Sequence, residues 1–171
     1  MNRIKVGLPP IARPDARLFI LGSLPGDASL SAQRYYAHPT NQFWRLLGHA
    51  IREDLHALGY EERLERLAAR DVGMWDVIAA AERPGSLDQA IRSPAHNPLG
   101  SLAAEYPHLR AVAFNGSTAA RLGRRMLGES AGIALVDLPS SSAANTAPFA
   151  IKCRAWAELA QFLDPPHSEP R

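Results

Sequence analysis

Leu18-Phe19-Ile20-Leu21 constrains the fold of this chain more than any other stretch: neither face of the run carries a polar side chain, and it ends at Gly22. A strand that is apolar on both faces must be covered on both, as in a parallel sheet held between two layers of helix. The pattern returns at Ala111–Phe114, closed by Asn115-Gly116, and at Ile133–Leu138, closed by Pro139 and three serines. Val72–Ile78 adds another short strand, weakened by Gly73. Helical spacing lies between these runs: 41–52 carries Phe43, Leu46, Leu47, Ala50 and Ile51, and 60–70 carries Leu64, Leu67 and Ala68. Further helices are expected from Asn97-Pro98 to before Pro107, from Ser117 to Leu127 with Ser117 as cap and Gly128 as stop, and over 148–163. Strands alternating with helices specify an α/β chain, a three-layer α/β/α sandwich with a short, mainly parallel central sheet. The three prolines of residues 1–16 predict an irregular lead-in, and 79–98 reads as loop with a short helix at 87–91. The whole is expected to be one domain over 1–163, followed by a flexible, proline-rich tail over 164–171.

Composition narrows the function classes. No apolar run nears the roughly 20 residues of a membrane span, and the N-terminus lacks a signal peptide's apolar core, so a cytoplasmic protein is expected, acting as a monomer. The single cysteine excludes an internal disulfide and a thiolate-held cluster. The six histidines show no tight ligand spacing, so neither a metal nor another cofactor is expected. The net charge of +2 decides nothing, although Arg121, Arg124 and Arg125 share one expected helix and could meet either phosphates or solvent.

In open α/β sheets ligands bind beyond the carboxyl ends of the strands. The loops expected there are 22–26, 115–116 and 139–145, all rich in glycine, serine and asparagine. Gly22-Ser23-Leu24-Pro25-Gly26 is either a strand-ending turn or a place where backbone N–H groups approach a ligand. It contains no Gly-x-Gly-x-x-Gly dinucleotide pattern, and Ser23 lies in no Gly-x-Ser-x-Gly elbow. Tyr35-Tyr36-Ala37-His38-Pro39-Thr40-Asn41-Gln42-Phe43-Trp44 follows, dense in rings and neutral hydrogen-bonding groups. Tyr35 could fill the core or stack on a base, and Asn41 could cap the helix, act in catalysis, or both. This inventory suits a flat, neutral ligand such as a nucleobase.

These segments resemble the uracil-DNA glycosylase superfamily, above all its hypoxanthine-DNA (deoxyinosine) glycosylase branch, and the His-Pro-x-Asn-x-Phe-Trp pattern is shared with mismatch-specific uracil-DNA glycosylases. Supporting pieces fall in the same order: Gly73–Val77, Arg83-Pro84-Gly85-Ser86-Leu87-Asp88, Phe114-Asn115-Gly116 and Leu138–Asn145, spanning roughly 17–163. The resemblance implies a monofunctional DNA glycosylase of base excision repair whose partner is DNA with deaminated or mispaired bases, hypoxanthine opposite thymine first, uracil or xanthine second. It implies Asn41 as the catalytic residue, Gly22, Ser23, Leu24, Tyr36 and Asn115 as the base pocket, with Tyr36 stacking on the base and Asn115 on its edge, and Ser140, Ser141 and Ser142 as a DNA-gripping loop. Ala143 and Ala144 are too small for a strong wedge in that loop.

Leu24 stands where the mismatch-specific branch has a water-activating asparagine, and leucine can neither orient a water nor stabilise a cationic sugar. Catalysis is therefore expected to move to Asn41, whose side-chain carbonyl orients a water without supplying charge. Donors from Asn115 and the backbone of 22–24 are expected to stabilise the departing base. Asp27, Asp76, Asp88 and Asp137 are the alternative acids, with Asp76, read as lying just beyond a strand, foremost. No lysine lies in the motifs, so no Schiff-base lyase step is expected. Two alternatives stay open: a nucleic-acid-binding module with weak or lost catalysis, and a hydrolase acting on free nucleosides or nucleotides.

Overall fold

The structure, a computed structural model, describes residues 3–129 and 132–163; the tail expected over 164–171 lies outside the described residues. At its centre four parallel strands run in the order β3-β2-β6-β7: β2 (Leu18–Gly22), β3 (Val72–Asp76), β6 (Ala111–Asn115) and β7 (Ala134–Leu138). Leu18 faces Val72 on one side and Ala111 on the other, so the apolar run that closes at Gly22 is an inner strand.

The two-residue period of a strand divides its side chains between two cores. Leu18, Ile20, Ala111, Ala113 and Met74 pack with α2 (Phe43–Ile51), α3 (Tyr60–Ala69) and α6 (Phe149–Ala157). Phe19, Leu21, Val112 and Phe114 pack on the opposite face with α4 (Leu102–Glu105), the 3₁₀ turn before it and α5 (Ser117–Leu127). This is the expected three-layer arrangement. The approach of α5 is close enough to require Gly123, because a Cβ there would stand 2.3 Å from the Phe114 ring. The cap of α5 is Gly116, at φ 97°, rather than Ser117, which begins the helix.

The expected irregular segments depart from the sequence reading. Residues 4–6 form β1 (Ile4–Val6), and 78–96 hold β4 (Ile78–Glu82) and β5 (Arg92–His96), giving a second, antiparallel sheet in the order β1-β4-β5. β5 is exposed throughout and carries Pro94, which an edge strand tolerates because it offers one side without a ladder partner. The short helix expected near 87–91 is a single 3₁₀ turn, Asp88–Ala90. Between β2 and α2 lies the short helix α1 (Asp27–Ala32). Among the described residues no helix is long and apolar enough to cross a membrane.

Candidate active site

The carboxyl ends of β2, β3, β6 and β7 open into one cavity of about 540 Å³, within the range of small-ligand pockets. Every residue expected at the site lines it: Gly22, Ser23, Leu24, Tyr36, Asn41, Asn115, Ser140, Ser141 and Ser142. The second sheet adds a wall that the sequence reading did not place, Ser86 to Gln89.

One side of the cavity is a continuous hydrogen-bonded chain. Asn115, at the end of β6, donates from Nδ2 to Ser141 Oγ at 2.9 Å and to the Tyr36 hydroxyl at 3.3 Å. Its Oδ1 accepts from the Ser141 N–H at 2.9 Å. Ser141 passes its own hydroxyl proton to Asn41 Oδ1 at 2.8 Å, and the same oxygen accepts the Phe43 N–H at 3.0 Å. A backbone N–H can meet only an acceptor, which fixes the amide orientation: the carbonyl of Asn41, expected to orient a water, is instead held by two donors, so Nδ2 is the end that faces that task. Asn41 thus combines a turn-forming bond at the helix start with a place in the cavity. Ser141 is 1% exposed; its hydroxyl is spent inside the protein and cannot serve a phosphate. Ser140 and Ser142 are less deeply set, and their hydroxyls accept the N–H groups of Ser142 and Ala144, shaping the loop.

Tyr36 lies in the left-handed region at φ 52°, where a bulky residue costs on the order of 1–3 kcal/mol. That conformation lays its ring flat on Phe43, centroids 3.7 Å apart and planes 9° from parallel. Burial first, then the charge of Asp76, pushes its phenol pKa far up, so it remains a neutral donor. Tyr35 fills the core, donating its hydroxyl to the Pro9 carbonyl at 2.7 Å.

The turn at 22–26 is held by a residue that the sequence reading placed only within a motif. Arg83 is 2% exposed and donates to the carbonyls of Leu24 at 3.2 Å, Pro25 at 2.6 Å and Gly85 at 3.0 Å. Burial lowers its pKa, partly opposed by Asp27, Asp88 and Asp76. The same bonds turn Leu24 into a small apolar cluster with Ile78 and Ala81. Ser23 donates to Asp88 Oδ1 at 2.6 Å, bridging the turn to the second sheet's loop.

Lys152, on α6, was missed because nothing local marks it. It is buried, with Nζ donating to Gln42 Oε1 and the Asn145 carbonyl, each at 2.8 Å, and to the Ser142 carbonyl at 3.4 Å. It ties the 140–145 loop to the start of α2, where Gln42 N–H also reaches the Ser141 carbonyl at 2.9 Å. With neutral acceptors only and burial against it, its pKa is lowered.

Asp76 lines the cavity at the end of β3, 4% exposed, and its Oδ2 has no hydrogen-bond partner among the described residues. Among the described residues no cluster of His, Cys, Asp and Glu is placed to hold a metal.

The chain is similar to known proteins over most of its length. Residues 9–164 match the model of the uracil DNA glycosylase superfamily. The chain is 40% identical over 156 residues to the hypoxanthine DNA glycosylase of Methanosarcina barkeri, covering 90% of this chain and 96% of that protein. It is 42% identical over 142 residues to the hypoxanthine DNA glycosylase of Methanosarcina acetivorans, covering 83% and 89%. A solution NMR structure of a candidate uracil DNA glycosylase from Methanosarcina acetivorans superimposes with a TM-score of 0.84 at 38% identity, covering 94% of this chain and 99% of that one.

Proposed function

The chain belongs to the uracil DNA glycosylase superfamily, and on that premise we propose that it is a DNA glycosylase that hydrolyses the bond between deoxyribose and a deaminated base. Hypoxanthine is its first substrate, with uracil and xanthine behind it. The observation that carries the reading is the hydrogen-bonded wall Tyr36–Asn115–Ser141–Asn41, which presents a ring and neutral amides along a cavity large enough to admit a base.

The base must leave the duplex to enter this cavity, at a cost of a few kcal/mol that is smallest at a mispair. Tyr36 stacks on it, supported from behind by Phe43. Asn115 reads the base edge once its longer bond, the one to Tyr36, yields to the ligand. Asn41 positions the water, holding the water oxygen through Nδ2 while a lone pair stays directed at the sugar carbon. Glycosidic cleavage passes through an oxocarbenium-like state. Leu24 supplies no charge to it, so the burden falls on stabilising the departing base. Gly22 and Ser23 set the backbone that faces the base, and Ser140 and Ser142 meet the DNA backbone. The protein works as a monomer in the cytoplasm without a metal.

Duplexes bearing inosine, uracil, xanthine or a thymine mispair, scored for abasic sites, test the reading. Release from inosine opposite thymine exceeds that from the other lesions. Tight binding with no base released assigns a binding module instead, and hydrolysis of free inosine monophosphate but not DNA assigns a nucleotide hydrolase.

A further inference from the structure

Three carboxyl groups line the cavity, those of Asp27, Asp76 and Asp88. Two are engaged: Asp27 pairs with Lys5 Nζ at 2.6 Å, and Asp88 accepts the Ser23 hydroxyl at 2.6 Å. The third is unlike them. Asp76 is 4% exposed, its Oδ2 is buried without any hydrogen-bond partner, and no salt bridge reaches it among the described residues. Its Oδ1 lies against β2, where a Cβ on Gly22 would stand 2.6 Å away, and 3.0 Å from the Tyr36 hydroxyl. Gly22 therefore lets the carboxyl and the tyrosine hydroxyl converge at one point of the cavity wall.

We infer that Asp76 is a catalytic acid that hands a proton to the departing base. The inference rests on the glycosylase reading and adds to it the step that a site with Leu24 lacks. Buried charge without a partner is costly, and the group responds by keeping its proton. Burial is the main cause that raises the Asp76 pKa to about 7, the Asp88 carboxylate raises it further and Arg83 opposes the shift. The remaining titratable neighbours, Tyr35 and Tyr36, are themselves held neutral by burial. The backbone carbonyl of Asp76 accepts from Asn97 Nδ2 at 2.8 Å, which fixes the end of β3 without touching the carboxyl. A carboxylic acid kept neutral near pH 7 is suited to donate.

The step balances. The bond from the base nitrogen to the sugar carbon breaks, and its electron pair stays with the base. The Asp76 proton passes to a ring nitrogen or carbonyl oxygen, so the base leaves neutral. Water adds to the sugar carbon, and one of its protons restores the acid.

Single-turnover base release, measured from pH 5.5 to 9 with wild type and Asp76→Asn, tests this on duplexes carrying inosine, uracil or 5-fluorouracil. Fluorouracil leaves more readily and needs less help from an acid. Wild-type release falls about tenfold per pH unit above pH 7, as the proton is lost. The variant is flat with pH and slower by about 10²–10³-fold on inosine and uracil, and its deficit shrinks at least tenfold on 5-fluorouracil. An equal deficit on uracil and 5-fluorouracil, activity within threefold of wild type, or a wild-type rate that rises through pH 7 overturns the assignment while leaving the glycosylase reading intact. Absence of release by the wild type overturns both.

Discussion

Two neighbouring parts of one cavity are built on opposite principles. Along Tyr36, Asn115, Ser141 and Asn41 each polar group satisfies the next, and the chain ends on the backbone of α2. Beside the Tyr36 end of it, Asp76 is buried with its Oδ2 meeting no hydrogen-bond partner among the described residues. The first wall has its geometry fixed before a ligand arrives, so its donors and acceptors cost little reorganisation when the reaction needs them. The second keeps a proton in reserve at the expense of stability. A pocket with the apolar Leu24 at its turn can be served by dividing the labour this way: neutral amides for position, one acid for the leaving group.

Breaking the satisfied wall at its end gives the largest effect. Asn41→Ala lowers the single-turnover rate of hypoxanthine release by about 10³-fold with the fold kept, as circular dichroism and duplex binding report; near-normal release removes Asn41 from the catalytic role. The unpartnered acid beside it is probed through stability. The Asp76 pKa rises from 3.8 unfolded to about 7 folded, so the native state holds a proton over that window. Its stabilising share is fully present below pH 3.8 and is lost as the pH rises through 7. Asp76→Asn is therefore more stable than wild type at pH 8, by on the order of 2–4 kcal/mol, with little difference at pH 4. Chemical denaturation at the two pH values measures this, and an equal difference at both would mean that the carboxyl is not buried as an acid.

Cutting the wall in its middle is a smaller intervention. Ser141→Ala leaves Asn115 Nδ2 and Asn41 Oδ1 each short of a partner, costing about 1–3 kcal/mol of stability and about tenfold in base release. A loss confined to DNA binding would instead return Ser141 to the DNA-gripping role expected from sequence. The smallest effect is expected from Leu24→Asn, which restores a polar group beside a wall that works without one. Uracil release rises a few-fold while hypoxanthine release changes little, and no gain at any uracil mispair would count against a shared water position.

Much of this was legible in the chain, for identifiable reasons. The central sheet announces itself because Leu18–Leu21 and Ala111–Phe114 are apolar on both faces and close on glycine or asparagine. The loops at their ends hold the pocket residues because parallel strands deliver them to one edge. The second sheet was hidden. β4 follows Ile78 with three alanines, and β5 is wholly exposed with a proline inside, so neither carries a strand's period. The partners of Arg83 and Lys152 could not be read either, because their bonds join residues 58 and 110 positions apart. Asp76 stood out in sequence as an acid just beyond a strand. That it alone of the three cavity carboxyls has a buried oxygen with no hydrogen-bond partner among the described residues is a property of the fold.

The central claim is hydrolytic release of hypoxanthine governed by Asn41. Its most direct test is chromatographic detection of the free base after a single turnover on an inosine–thymine duplex, with wild type and Asn41→Ala side by side. The account predicts stoichiometric free hypoxanthine from the wild type and almost none from the variant, although both bind the duplex. Bound duplex with no hypoxanthine from the wild type, or equal release by the two proteins, would contradict it.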